Sequence, residues 1–378
     1  TPAIAAPTLD AGDLWRRIRH KDELPQDDDD ATVRPFVVFA PSVTAKPSTG
    51  LSLGLSSSVA FVRGTGDDAR VSSASASLKV SMKAQTLGSV RFSMFSPGDR
   101  WFVQGDNRLQ WTSLNVYGSG LSAPSTGANV KYDWFRIYET AYRRVAPGLF
   151  VGGGVNISEH ANIRADAPAA EYDAYAAAHG FAADGSTSSG VNASLLYDTR
   201  DNAINARRGW LATASYRTFF DGFAGGDSSW QQLNVDVRTY LRLTDDGRHR
   251  FAVWMLGDFV THGNAPYLDL PATSGDLFGR SARGYAEGRY RGPHLLYGEA
   301  EYRGDLTASG VVGMVAFLNM TTLDGFATQD RIFRDFAPGA GLGVRLLLDK
   351  HSRTNLCADY GFGREGSRGF YLAIQEAF

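Results

Sequence analysis

The sequence predicts an all-β fold, a 16-stranded antiparallel transmembrane β-barrel, on three observations. Segments with two-residue alternation recur along the chain, and an even number of them can be laid out. The connections between them alternate between short and long. The chain closes on Gly369 to Phe378, which alternates large apolar side chains with smaller or polar ones. Phe370, Leu372, Ile374 and Phe378 fall on one face of that extended strand, and Tyr371, Ala373, Gln375 and Ala377 on the other. A membrane-spanning strand needs about ten residues, an oily outer face and an aromatic at the boundary. Taken alone, this segment also suits the closing strand of a β-sandwich.

Composition sets the limits. The chain has 378 residues, with 42 Gly and 12% aromatics. Abundant Gly and aromatics suit β-structure with many turns. The mean hydropathy is −0.23, and no stretch approaches the ~20 apolar residues of a membrane helix. Barrel strands hide half their residues from lipid, so a low mean hydropathy is compatible with spanning. The net charge of −2 argues against a nucleic-acid binder. A single cysteine, Cys357, leaves no intrachain disulfide. The start, Thr1-Pro2-Ala3-Ile4-Ala5-Ala6, reads as a mature N-terminus after removal of a signal peptide.

Residues 1–34 form a separate N-terminal extension, and 35–378 the barrel. Within the extension, Asp13 can cap a short helix with Leu14, Trp15 and Ile18 on one stripe. Asp27 to Asp30 read as a solvated linker, because adjacent aspartates lack the alternating geometry of a calcium loop. Beyond it, strands are expected at 36–44, 50–62, 70–82, 87–96, 100–112, 129–144, 148–162 and 188–198. The rest are expected at 208–219, 230–243, 250–262, 294–303, 310–320, 339–348, 353–362 and 369–378. In 233–243 the even positions carry Asp236, Arg238 and Arg242, which would cost roughly 2–4 kcal/mol each in hydrocarbon for the arginines, so that face must be wet. Segment 129–144 puts Arg136 and Glu139 on opposite faces, which suits a partly extramembrane strand. The long linkers, 113–128, 163–187, 263–293 and 321–338, all fall in the extracellular slot, and short Gly/Asp/Pro turns fill the periplasmic one.

Three motifs resemble the bacterial surface-antigen superfamily, which includes the outer-membrane assembly factors BamA and TamA. Asp198-Thr199-Arg200-Asp201-Asn202, with Arg208-Gly209-Trp210, resembles a periplasmic turn of those barrels. Read from the residues, Asp198 and Asp201 can pair with Arg200 or Arg208. Arg283-Gly284-Tyr285 resembles the loop tip that this superfamily folds back into its lumen from outside. The resemblance implies that Glu301 is the wall carboxylate receiving Arg283, on a strand whose Tyr297, Glu299, Glu301 and Arg303 face inward. Phe317 lies in a wall strand whose usual pattern has Asp two residues later, where this chain has Asn319. An amide brings no charge, so the arginine is expected to lean on Glu301 alone. Phe378 and its strand resemble the C-terminal sorting signal of outer-membrane barrels. The 34 residues before the first strand are too few for a POTRA domain, which points to a barrel-only branch.

The resemblance implies a bacterial outer-membrane protein with both termini periplasmic, surrounded by lipids and lipopolysaccharide and delivered by the barrel assembly machinery. It implies protein insertion or translocation through a weak seam between first and last strands, with a client polypeptide or periplasmic partner. A passive pore or anchor is the competing reading. An enzyme is not expected. His160, His179, His262 and His294 lie near external loops, yet no serine or carboxylate stands at a telling spacing, and no metal or cofactor motif is present.

Overall fold

The computed structural model describes residues 9–13, 36–46, 49–62, 71–165, 169–326, 328–350 and 352–378. The strands are β1 (Phe36–Lys46), β2 (Gly50–Val62), β3 (Val71–Ser81), β4 (Thr86–Phe95), β5 (Trp101–Val116), β6 (Ala128–Ala146), β7 (Leu149–Ala165) and β8 (Ser186–Asp198). They continue as β9 (Gly209–Phe219), β10 (Trp230–Arg242), β11 (His249–Gly263), β12 (His294–Asp305), β13 (Val312–Leu323), β14 (Ala337–Asp349), β15 (Thr354–Phe362) and β16 (Arg368–Ile374). One antiparallel sheet holds them all in sequence order. A helix, α1 (Ala170–His179), stands in the β7–β8 connection, ended by Gly180 at φ +76°.

The two-residue period sorts the wall into an oily and a wet face. Leu55, Leu78, Leu109, Leu195, Leu241, Met255, Leu318 and Leu342 are exposed on the outside. Their neighbours point inward and pair. Asp236 and Arg238 meet at 2.6 Å, and the buried Trp254 donates to Asp236 at 3.0 Å. Had this strand slipped by one residue, those charges would face lipid. Arg136 and Glu139 do split between the faces of β6. Arg136 lies 3.6 Å from Asp106 inside, and Glu139 takes a hydrogen bond from the outward Asn107 at 2.7 Å.

The long connections, described at 117–127, 169–185, 220–229, 264–293, 324–326 and 328–336, share one rim. They roof the barrel. The Tyr175 hydroxyl donates to the Ala265 carbonyl at 2.8 Å, and that of Tyr267 to Gly118 at 2.8 Å. Tyr132, Trp134, Phe219, Trp230 and Leu270 pack beneath as an apolar cluster. At the opposite rim Phe95, Phe102, Tyr142, Phe150 and Leu196 fill the inside.

Two expectations are corrected here. The last strand ends at Ile374, not Phe378. Gln375 turns at φ +74°, and the chain bends into the lumen, where Phe378 is buried. Its ring lies 5.2 Å from Trp254, with the Arg303 guanidinium 4.8 Å above it. A straight continuation would place Glu376 on the oily face with Phe370 and Leu372. Inside, Glu376 instead meets Arg345 at 2.7 Å and Asn355 at 2.7 Å. Near the N-terminus, Asp10 rather than Asp13 is the cap. Its carboxylate accepts the Asp13 N–H at 2.9 Å, and Asp13 returns the bond to the Asp10 N–H at 3.2 Å. Residues 14–20 and Asp27 to Asp30 lie outside the described residues.

Candidate functional site

The 264–293 connection folds inward. Two sets of contacts give it a shape of its own. Arg291 donates to the carbonyls of Tyr267, Leu268 and Leu270 at 2.7, 3.0 and 3.1 Å. Asp276 accepts the backbone N–H groups of Phe278, Arg280 and Ser281. The wall tethers it at Asp269, which accepts Ser158 at 3.0 Å and Ser188 at 2.7 Å. His160 lies 3.9 Å from Asp269 and stacks on Trp134. Ser158 donates to the aspartate rather than to the histidine, so these hydroxyls anchor the connection to the wall.

Arg283 stands at the tip, 2% exposed and surrounded by wall carboxylates. One Nη donates to Asp359 at 2.6 Å; the other donates to Glu299 at 2.5 Å and to Glu301. Its guanidinium lies 3.8 Å from the centroid of the Phe317 ring. The expectation that Arg283 leans on Glu301 alone is therefore corrected: three carboxylates receive it. Glu301 is shared with Arg303 at 2.6 Å, so part of its charge is already committed. Asn319 acts as a donor. Its Nδ2 reaches the Arg283 carbonyl at 3.0 Å and Glu299 at 3.4 Å. An aspartate has no N–H to offer that carbonyl.

The tip fits because the wall is thinned opposite it. Gly284 has φ +111°, and a Cβ there would lie 2.6 Å from the Phe362 carbonyl oxygen. On the wall, a Cβ at Gly361 would meet the Gly284 nitrogen at 2.7 Å. Tyr285 is buried; its hydroxyl donates to the Pro338 carbonyl and accepts the Arg364 N–H at 2.9 Å. Tyr371 of β16 accepts the Gly284 N–H at 3.0 Å and donates to the Tyr285 carbonyl at 3.1 Å. Arg280 donates to the carbonyls of Ile374 and Gln375 at 2.8 Å each, and to that of Glu376. The loop thus grips the last strand and the segment after it. Asp359, Glu299, Tyr371 and Gly361 were missed as partners of the tip. The alternation that placed Glu299 inward was a usable signal for one of them.

The 199–208 connection does not hang free at its rim. Asp198 holds Arg200 in a fork, Oδ1 to Nε and Oδ2 to Nη2, both at 3.0 Å. Asp201 reaches across to the β14–β15 turn and accepts Arg353 at 2.8 Å. Burial opposes its ionisation. The Arg353 charge and hydrogen bond and the N–H groups of Arg207 and Arg208 outweigh burial and hold its carboxyl below the usual range. Arg208 therefore meets Asp201 through its backbone, not its side chain. Asn205 accepts Arg250 at 3.0 Å, so the turn crosses the mouth.

A family model, the Omp85 superfamily domain, matches residues 40–378. The chain belongs to the Omp85 superfamily and is an outer-membrane β-barrel. Among solved structures it is similar to BamA from Haemophilus ducreyi lacking POTRA domains 1–3, with TM-score 0.60 and 12% identity, over 90% of this chain and 70% of that one. It is also similar to CdiB from Acinetobacter baumannii, with TM-score 0.57 and 12% identity, over 90% of this chain and 59% of that one. CdiB from Escherichia coli gives TM-score 0.57 and 11% identity, over 90% and 62%. The chain thus spans less than two thirds of either CdiB. At such identities the likeness concerns the fold. No curated protein matches the sequence.

Proposed function

We propose that this chain is a protein assembly or translocation factor that admits a client polypeptide at the seam between β1 and β16. One observation carries the reading. The two strands lie side by side, yet among the described residues no hydrogen-bonded ladder joins them. β16 pairs with β15 at seven positions only, from Phe362↔Arg368 to Leu356↔Ile374. A strand edge without a partner can template an incoming strand. In this reading residues 35–378 form a closed 16-stranded barrel and residues 1–34 a periplasmic extension. The long-loop rim is extracellular and both termini are periplasmic. Lipids and lipopolysaccharide surround the wall, and the barrel assembly machinery installs it.

The test is a disulfide between a cysteine in 36–40 and one in 370–374. Reconstituted with an unfolded outer-membrane client, the reduced protein should promote its insertion and the oxidised one should not. Unchanged activity after oxidation refutes lateral opening. The pore reading draws on the polar cavity of 340 Å³ left in the lumen, lined by Asp106, Arg136, Asp236 and Asp258 among others. Against it, residues 268–278 of the inward connection and Arg200, Ala203 and Ile204 of the 199–208 turn reach into that cavity and narrow it. Single-channel recordings should show little steady current; large steady conductance would favour the pore.

A further inference from the structure

Glu139 is a carboxyl group on the wrong side of the wall. It pairs in register with Gly105, and its side chain lies over that glycine, where a Cβ would meet Glu139 Oε2 at 2.6 Å. Gly105, Asn107 and Glu139 alternate with the inward Asp106 and Tyr138, so all three face the surrounding membrane. Two belts bracket them. Arg143 lies 5.8 Å over the exposed Trp101 at one border. At the other, the exposed Trp111 pairs with Asp133. Glu139 is four residues along β6 from Arg143 and six from Asp133. At ~3.3 Å per residue on a tilted strand, roughly 10 Å of wall separates it from the nearer belt. Ionisable groups at that depth are costly and mark function by default.

Beside this pair the outer wall is hollowed. Ser57, Ala76 and Gly88 face outward as a floor, with Leu78, Leu109 and Phe135 as sides, in a groove of 870 Å³. Small side chains permit close approach of another protein surface within a membrane.

We propose that this face is a dimer interface, on which a second copy of this chain docks with its own Glu139–Asn107 pair. The hydrogen-bond inventory selects the occupant. Asn107 Nδ2 donates to Glu139 Oε1 at 2.7 Å. Among the described contacts, Glu139 Oε2 accepts no hydrogen bond, and the second amide hydrogen and Oδ1 of Asn107 are unused. A lipid chain in the groove would offer neither donor nor acceptor to these groups. Across a two-fold axis along the membrane normal, the second amide hydrogen of Asn107 in each copy meets Glu139 Oε2 of the other, giving two hydrogen bonds between the copies.

The full chain, reconstituted in phospholipid vesicles, should photobleach in two steps at moderate density. Glu139→Leu should dissociate roughly tenfold more readily, the loss of two membrane hydrogen bonds. Glu139→Gln, which keeps an acceptor oxygen for Asn107, should retain the dimer. Glu159→Leu, outward but nearer the rim, should change nothing. Leu109→Cys should crosslink between copies, and Leu342→Cys, on β14, should not. Heat-modifiable migration verifies folding of each variant. A monomeric wild type at every density, an unchanged dimer in Glu139→Leu, or crosslinking through Leu342→Cys instead would overturn the proposal.

Discussion

Asp359 holds Arg283 with one oxygen, at 2.6 Å, and Arg345 with the other, at 2.5 Å. Arg345 in turn holds Glu376 at 2.7 Å. A single carboxylate on β15 thus links the loop tip to the segment beyond the last strand. Asp359→Ala leaves two buried guanidiniums short of a partner, which should cost about 3–5 kcal/mol. Urea unfolding followed by heat-modifiable migration measures the loss. Hydrogen exchange at residues 375–378 should rise with it; unchanged exchange there would break the link.

Asn319→Asp restores the residue type expected from the resemblance, and should nevertheless destabilise. It adds a carboxylate beside Glu299 and removes the donor to the Arg283 carbonyl. Leaving that buried carbonyl unmet costs about 1–3 kcal/mol. A variant more stable than the wild type in the same urea assay would show that charge, not donation, matters at this position.

Gly284→Ala should expel the tip. The backbone at φ +111° disfavours any side chain, and the new Cβ would press on the Phe362 carbonyl. The strain is of order 1–3 kcal/mol. Proteolysis from the long-loop side should become faster at 280–286, while the barrel itself still migrates as folded. Protection equal to wild type would mean the tip tolerates the substitution in place.

Acid should release the 199–208 turn. The Asp201 carboxyl sits below its ordinary value near 3.8 when folded, so its contribution is complete above that value. The contribution is lost as pH falls through the lower folded value. Hydrogen exchange of 202–208 should therefore be slow at neutral pH and fast in strong acid. Asp201→Asn should be fast at both; slow exchange in the variant would sink the clamp.

The wall was legible in sequence because a strand's period is two whatever surrounds it. Leu233 to Leu243 announced which side was wet, and Asp236 and Arg238 lie there. The long connections fall on one side of the count because each antiparallel strand reverses the chain, so alternate connections share a rim. The tip's partners were less legible. Arg283 and Glu301 are eighteen residues apart and both sit in recognisable motifs, whereas Asp359 comes from a strand 76 residues from the arginine. Nothing local distinguishes Asp359 from any other inward aspartate.

Alternation by itself fixed the strands, their order and the oily face of this chain, since hydrocarbon and water impose that pattern residue by residue. Where the wall turns, and what fills it, needed the assembled barrel. Phe378 continues the pattern on paper, but Glu376 finds Arg345 of β14 and Asn355 of β15 only once those two strands stand beside β16 with their inward side chains facing the lumen. The fate of the chain's last four residues is thus a property of the closed interior, where buried charges must find partners, and not of their own periodicity.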